Sequence, residues 1–149
     1  MQDALWFDDL KLGDRVETRG RTVTEADLVN FCGTSGDFHA LHTDAVNAEA
    51  TQFGQRIAHG ALVLSIVTGL RGRLRFFEEA LVAFVEIRTW RFLAPVFIGD
   101  TVTARNEVTE LHPTSKADKG IMVNRVVVLN QHGDVVQEGE MVSLVRKRV

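Results

Sequence analysis

Gly60-Ala61-Leu62-Val63-Leu64-Ser65-Ile66-Val67-Thr68-Gly69-Leu70 carries large apolar residues on several sides of a helix rather than on one. A helix built this way has no wide polar face to turn to water, so it must be enclosed by the rest of the chain. The pattern predicts a central helix from Gly60 to about Leu74. Downstream the signal is all strand. Leu81 to Phe92 is rich in Val, Phe, Ile and Trp, and Pro95 stops it. Thr101 to Leu111 follows the Gly99-Asp100 turn, and two further strands, Ile121 to Asn130 and Val135 to Val145, meet at Gln131-His132-Gly133-Asp134. His112 to Gly120 is the expected loose stretch.

Upstream, Arg15 to Thr22 alternates polar and apolar residues and reads as one short edge strand. Thr24-Glu25-Ala26-Asp27 is a helix start, with a hydroxyl to cap free amides and acids in the first turn. Leu28, Phe31 and Cys32 keep helical spacing, and Gly33 and Gly36 with Ser35 are expected to end that helix, leaving Asp37 in a loop. Thr43-Asp44 can cap a second short helix through about Thr51, with Gly54 at its exit. The architecture expected is α+β: one domain over residues 1–149, an antiparallel sheet of about five or six strands wrapped around a long central helix.

A formal net charge of -3 gives no general attraction to nucleic acid or to an anionic membrane. The longest apolar run, Ala61 to Val67, is far below the roughly 20 residues of a membrane span. Met1-Gln2-Asp3-Ala4-Leu5-Trp6 is acidic and lacks the pattern of a secretory signal. The single Cys32 has no disulfide partner in the chain and reads as buried packing, which fits a reducing, cytoplasmic setting.

Two segments hold the chemistry. Gly36-Asp37-Phe38-His39-Ala40-Leu41-His42 offers a carboxylate and an imidazole that can reach one water from a bent loop. His59-Gly60 begins the central helix, where free amides and the positive end of the helix dipole favour an anion. Gly60 lacks a side chain and lets a ligand oxygen approach. Base, acid and oxyanion donor are what the addition of water to an enoyl thioester requires.

Ser35-Gly36-Asp37, His42, Ala58-His59-Gly60 through Ser65, and Pro95-Val96 to Gly99-Asp100-Thr101 resemble the MaoC-like, (R)-specific enoyl-CoA hydratase family of hot-dog fold, over most of the chain. The resemblance implies that Asp37 and His42 are the catalytic acid/base pair, that the Gly60 amide is the oxyanion donor, and that Ser65 supports the loop pair. It implies a coenzyme A or acyl carrier protein thioester as substrate, no cofactor, no metal, and a homodimer or higher hot-dog oligomer. The family's loop reads Gly-Asp-x-Asn-Pro-x-His, and this chain has His39 at the Asn position and Ala40 at the Pro position.

Other readings compete at several positions. His59 precedes the glycine and reads as a cap or packing residue at the helix start ahead of a site residue, and His39 divides between substrate contact and a solvent-facing loop. Asp37, His39, His42 and His59 together suggest a metal, but no H-E-x-x-H pattern or cysteine pair accompanies them. Arg71, Arg73 and Arg75 read as a solvated surface, and Trp90 and Phe92 as core or interface packing. A hot-dog acyl-CoA thioesterase and a non-catalytic acyl-binding or partner subunit are the alternative functions.

Overall fold

The apolar stretch forms α4 (Gly60–Gly72), the longest helix of a computed structural model that describes residues 6–148, the side chains of Arg75, Phe76 and Glu78 excepted. Before it come β1 (Arg15–Glu17), β2 (Arg21–Thr22), α1 (Glu25–Ser35), α2 (Ala40–Thr43) and α3 (Ala45–Glu49). After it come α5 (Arg75–Ala80), β3 (Leu81–Phe92), β4 (Thr101–Pro113), β5 (Lys119–Leu129) and β6 (Val135–Arg146). The sheet is antiparallel in the order β1-β4-β5-β6-β3, with β2 paired to β4 beside β1. This is the hot-dog arrangement expected.

The sheet needs a hydrophobic partner for one face, and α4 supplies it. Leu62, Val63, Ile66, Val67 and Leu70 join Ala104, Val126, Val128 and Met141 in the main core cluster. A smaller cluster holds Phe77 and Ala80 of α5 against Leu10, Val108, Met122 and Val145. β3 lies at one sheet edge, and Phe84, Val85 and Ile87 stay exposed along it.

Several expectations are corrected. The single N-terminal strand is two short ones, because buried Thr18 takes over the ladder. Its N–H donates to the Ala104 carbonyl at 3.0 Å, and its Oγ1 accepts the Ala104 N–H at 2.9 Å in place of a main-chain carbonyl. Gly33 sits inside α1, and Gly36 alone caps it with φ 76°, its N–H donating to Cys32 O. The loose stretch expected from His112 to Gly120 is narrower, residues 114–118: β4 runs to Pro113 and β5 begins at Lys119. α2 and α5 had no counterpart in the sequence reading. The reading of the chain's start falls largely on residues 1–5, outside the described residues. Among the described residues no helix is long and apolar enough to cross a membrane.

Arg71 departs most. It is buried, on the α4 face shared by Val63 and Val67, rather than solvated. Its guanidinium donates to Asn124 Oδ1 at 3.2 Å and to the Met141 thioether, and lies 4.6 Å over the Phe77 ring. Burial lowers its pKa to about 10. No carboxylate pairs with it among the described residues. Its place in the last turn of α4 sets the cation beside the negative end of the helix dipole. Arg75's part of the expectation lies outside the described side chains.

The tightest strand contact is at Gly139, where an added Cβ would fall 2.0 Å from the Thr89 carbonyl oxygen, a main-chain atom with little freedom to move. Gly139→Ala is expected to destabilise the protein by about 3 kcal/mol or more, at the upper end of overpacking. Urea denaturation measures it, and an unchanged midpoint would refute the constraint.

Candidate active site

The loop after α1 is shaped by its own polar side chains. Ser35 Oγ donates to Phe31 O at 2.6 Å and accepts the Asp37 N–H at 3.1 Å. Asp37 Oδ1 accepts the His39 N–H at 3.1 Å, an Asx turn that bends the chain into α2. His39 is the N-cap of α2: its Nδ1 accepts the Leu41 N–H at 3.2 Å. That accounts physically for the departure from the Asn-Pro pattern. Asn is favoured at an N-cap and Pro at the following position, and the His39 ring performs the capping while Ala40 leaves the helix start unconstrained. His39 is exposed and meets the His42 ring edge-on at 6.3 Å.

α2 carries His42. Its Nδ1 lies 2.7 Å from the Ile57 carbonyl oxygen. A carbonyl only accepts, so Nδ1 holds the ring proton and Nε2 presents its lone pair. That lone pair is on the nitrogen nearest Asp37, 4.0 Å from Oδ2. The separation is too long for a hydrogen bond, but an oxygen about 2.8 Å from each atom would bridge them at about 90°, close to the angle between a water's hydrogens. The His42 side chain is 12% exposed and the Asp37 side chain 51%. Burial, the largest influence, holds the His42 pKa below its ordinary value. The Ile57 carbonyl and Asp37 oppose this, and the His59 and His39 rings reinforce it. Ile57 itself is fixed by a bridge to Phe97, and the neighbouring Ala58 N–H donates to Val96 O at 2.7 Å. Gly99, at φ 97°, makes the turn that holds this strap.

His59 is the N-cap of α4 and is buried. Its ring stacks on His42 with centroids 3.7 Å apart and 24° between planes, and its Nε2 donates to the Asp37 main-chain oxygen at 3.0 Å. Next comes Gly60. Val63 is the first α4 residue to donate back, to His59 O at 3.2 Å, so the amides of Gly60 to Leu62 have no carbonyl behind them in the helix. An added Cβ at Gly60 would lie 2.6 Å from the Phe92 ring. Gly60 also lines a cleft of about 510 Å³ whose walls include Phe53, Ile57, Val63, Phe92 and Pro95.

The structure thus brings Asp37, His42 and His59 together, with Gly60 adjoining and His39 at the rim. Ser65 lies apart: it is exposed, and its hydroxyl donates one turn back to Ala61 O at 2.9 Å. The sequence reading missed Gln137. Buried on β6, it is the only polar side chain among the described residues lining the cleft; its Nε2 donates to Gly60 O at 3.1 Å while its Oε1 accepts the Trp90 Nε1–H at 2.9 Å. Gln137 opens the polar run Gln137-Glu138-Gly139-Glu140, so no local signal in the sequence singled it out. Trp90 packs against the core, as expected, while Phe92 is 61% exposed over the cleft. One nitrogen or oxygen from each of Asp37, His42 and His59 lies within 4.8 Å of the others, a spacing open to a cation. The two rings, however, are stacked, so their in-plane lone pairs run side by side instead of converging on one point.

Residues 9–131 match the family model described as the MaoC-like domain. The (R)-specific enoyl-CoA hydratase of Rhodospirillum rubrum is 34% identical over 143 residues, which cover 96% of this chain and 93% of that protein. Protein MaoC of Klebsiella aerogenes is 36% identical over 104 residues, 67% of this chain and 29% of that much longer protein. A solved structure of a monoamine oxidase regulatory protein from Archaeoglobus fulgius superposes with a TM-score of 0.89 at 37% identity, covering 97% of this chain and 95% of that one.

His39 has φ -55° and ψ 140°, a backbone that suits the residue before a proline, and no acceptor takes the Ala40 N–H among the described residues. Ala40→Pro is therefore expected to stabilise the protein by about 0.4–1 kcal/mol through the unfolded chain. A rise of a few degrees in Tm by calorimetry would show it; a fall would mean that α2 does not begin as described.

Proposed function

The chain belongs to the MaoC-like domain family, enzymes of the carbon–oxygen lyase type, and from that membership and its site we propose that it adds or removes water across the 2,3 double bond of an enoyl thioester, an acyl-CoA. The observation that carries the reading is the orientation of His42. Its Nδ1 proton is committed to the Ile57 carbonyl, so the lone pair of Nε2 is free on the side of the Asp37 carboxylate, and burial favours that neutral, basic form.

In the proposed reaction the thioester oxygen sits at the amide of Gly60 and the acyl chain enters the apolar cleft. A water held between Asp37 and His42 gives one proton to His42 Nε2 as its oxygen bonds to C3. The electron pair of the double bond moves toward the thioester, and the charge on its oxygen is held by the Gly60 N–H at the positive end of α4. The imidazolium, stabilised by the adjacent Asp37 carboxylate, returns its proton to C2. Water has then been added and the pair restored. No cofactor or metal takes part in this reading, and removal of water is the same path reversed.

Asp37→Asn and His42→Ala are each expected to lower hydration of crotonyl-CoA by about 10²–10⁴-fold, followed as loss of the conjugated thioester's ultraviolet absorbance. Wild-type rates in both variants, or release of free thiol, would displace the hydratase reading in favour of another. The pH profile carries a sign. Because the folded His42 pKa lies below its ordinary value, the rate is expected to hold through neutrality and to fall only as pH drops through that lowered value. Stability moves the same way: an unfolded imidazole takes up its proton first, so His42's contribution is full above about pH 6.5 and is lost as pH falls through the folded value.

We also propose a homodimer joined along β3. An edge strand with unpaired main-chain groups and exposed Phe84, Val85 and Ile87 is an association surface unless it is covered, and a second copy covers it with the same residues. Val85→Lys is expected to yield monomer in sedimentation velocity, whereas a wild-type monomer at micromolar concentration would rule the dimer out.

A further inference from the structure

His59 touches both members of the proposed pair without being either. It is 3% exposed and packs on Phe31, ring centroids 4.9 Å apart, with the Cys32 thiol 3.7 Å from its Nε2. Nε2 donates to the Asp37 carbonyl, and no other donor reaches that oxygen among the described residues. Nδ1, also buried, has no hydrogen-bond partner among them. A buried polar atom left unpaired costs stability, so packing alone would be served better by an apolar ring. What histidine adds over phenylalanine at this position is an N–H on the same flat plate. That N–H goes to the main chain of Asp37, and the plate lies against His42.

We infer that His59 is the positioning residue of the acid/base pair: its N–H fixes the main chain that carries Asp37, its ring face fixes the tilt of His42, and together they set the 4.0 Å gap between them. The inference rests on the reading of Asp37 and His42 as that pair. Four groups then face the His42 ring: the Asp37 carboxylate from the loop after α1, the Ile57 carbonyl from the strap before α4, His39 from the start of α2, and His59 from the start of α4. Two of them also hold the Asp37 loop: the His39 N–H donates to the Asp37 carboxylate, and His59, through its side chain, donates to the Asp37 main-chain oxygen. Its own surroundings are Phe31 and Cys32 of α1, the Asp37 carbonyl and His42.

Two substitutions separate the two contacts. His59→Phe keeps the plate and removes the donor; His59→Gln keeps an N–H able to reach the Asp37 carbonyl and removes the plate. Both are measured in the full chain by crotonyl-CoA hydration and by NMR titration of the His42 ring, after circular dichroism has established that they fold. His59→Phe is expected to lower kcat by about 10²-fold, the cost of a misplaced catalytic group, with KM little changed. The His42 titration moves upward, because a benzene face favours imidazolium more than a second imidazole does. His59→Gln is expected to recover about 10-fold of the lost kcat, a hydrogen bond's share. If both variants keep wild-type kcat and an unmoved His42 titration while only Tm falls, His59 is packing and the inference is overturned. If the wild-type protein fails to hydrate crotonyl-CoA but His42 still shifts in His59→Phe, the hydratase reading fails while the positioning of His42 by His59 stands.

Discussion

Burial of one face of α4 against the sheet is the constraint on which the other features depend. Leu62, Val63, Ile66, Val67 and Leu70 form a single stripe packed on the strands, while Ala61, Ser65, Thr68, Gly69 and Gly72 are exposed on the other side, so the helix is not enclosed all round as its apolar sequence suggests. Packing along that stripe fixes the helix along its length, so its first residue is fixed too. The amides of Gly60 to Leu62 therefore sit at a defined place beside the cleft, and the anion-favouring end of the helix follows from core packing.

The side chains around that point are held by main-chain oxygens. The Ile57 carbonyl accepts from His42, the Asp37 carbonyl from His59, and the Gly60 carbonyl from Gln137. Each bond joins segments distant in sequence, and each acceptor is a group that every residue type possesses. The geometry of the site thus depends on the identity of the three donors far more than on that of the residues that accept. Hydrogen bonds of this kind also decide tautomers: His42 presents a lone pair toward Asp37 because its other nitrogen has no alternative to donating.

What could be read from the sequence had local causes. Apolar periodicity marked α4 and β3 to β6 close to their observed ends, Thr24 and Asp44 announced helix starts, and the loop from Gly36 to His42 contained its carboxylate and imidazole in plain view. Residues whose roles arise from long-range contact were not legible. Arg71 has the composition of a surface residue and is buried because four-residue spacing places it on the stripe of Val63 and Val67. Gln137 gains its meaning from Gly60 and Trp90, and Thr18 from Ala104. Ser65 was assigned by resemblance to support the loop pair, while its hydroxyl is occupied one turn back along its own helix. α5 joins a core cluster with Leu10, Val108, Met122 and Val145, contacts that no local window contains.

The ring of Phe92 bears on how such a site can change over generations. With Phe92 in place, any side chain at position 60 meets the ring at 2.6 Å, although the ring itself is largely open to solvent. The two positions are therefore not independent characters. A lineage that first shortens residue 92 widens the cleft and makes position 60 permissive, whereas one that first gains a side chain at 60 must displace the ring across the helix start. The order of substitutions matters, and the accessible route to a side chain at the start of α4 runs through the exposed residue.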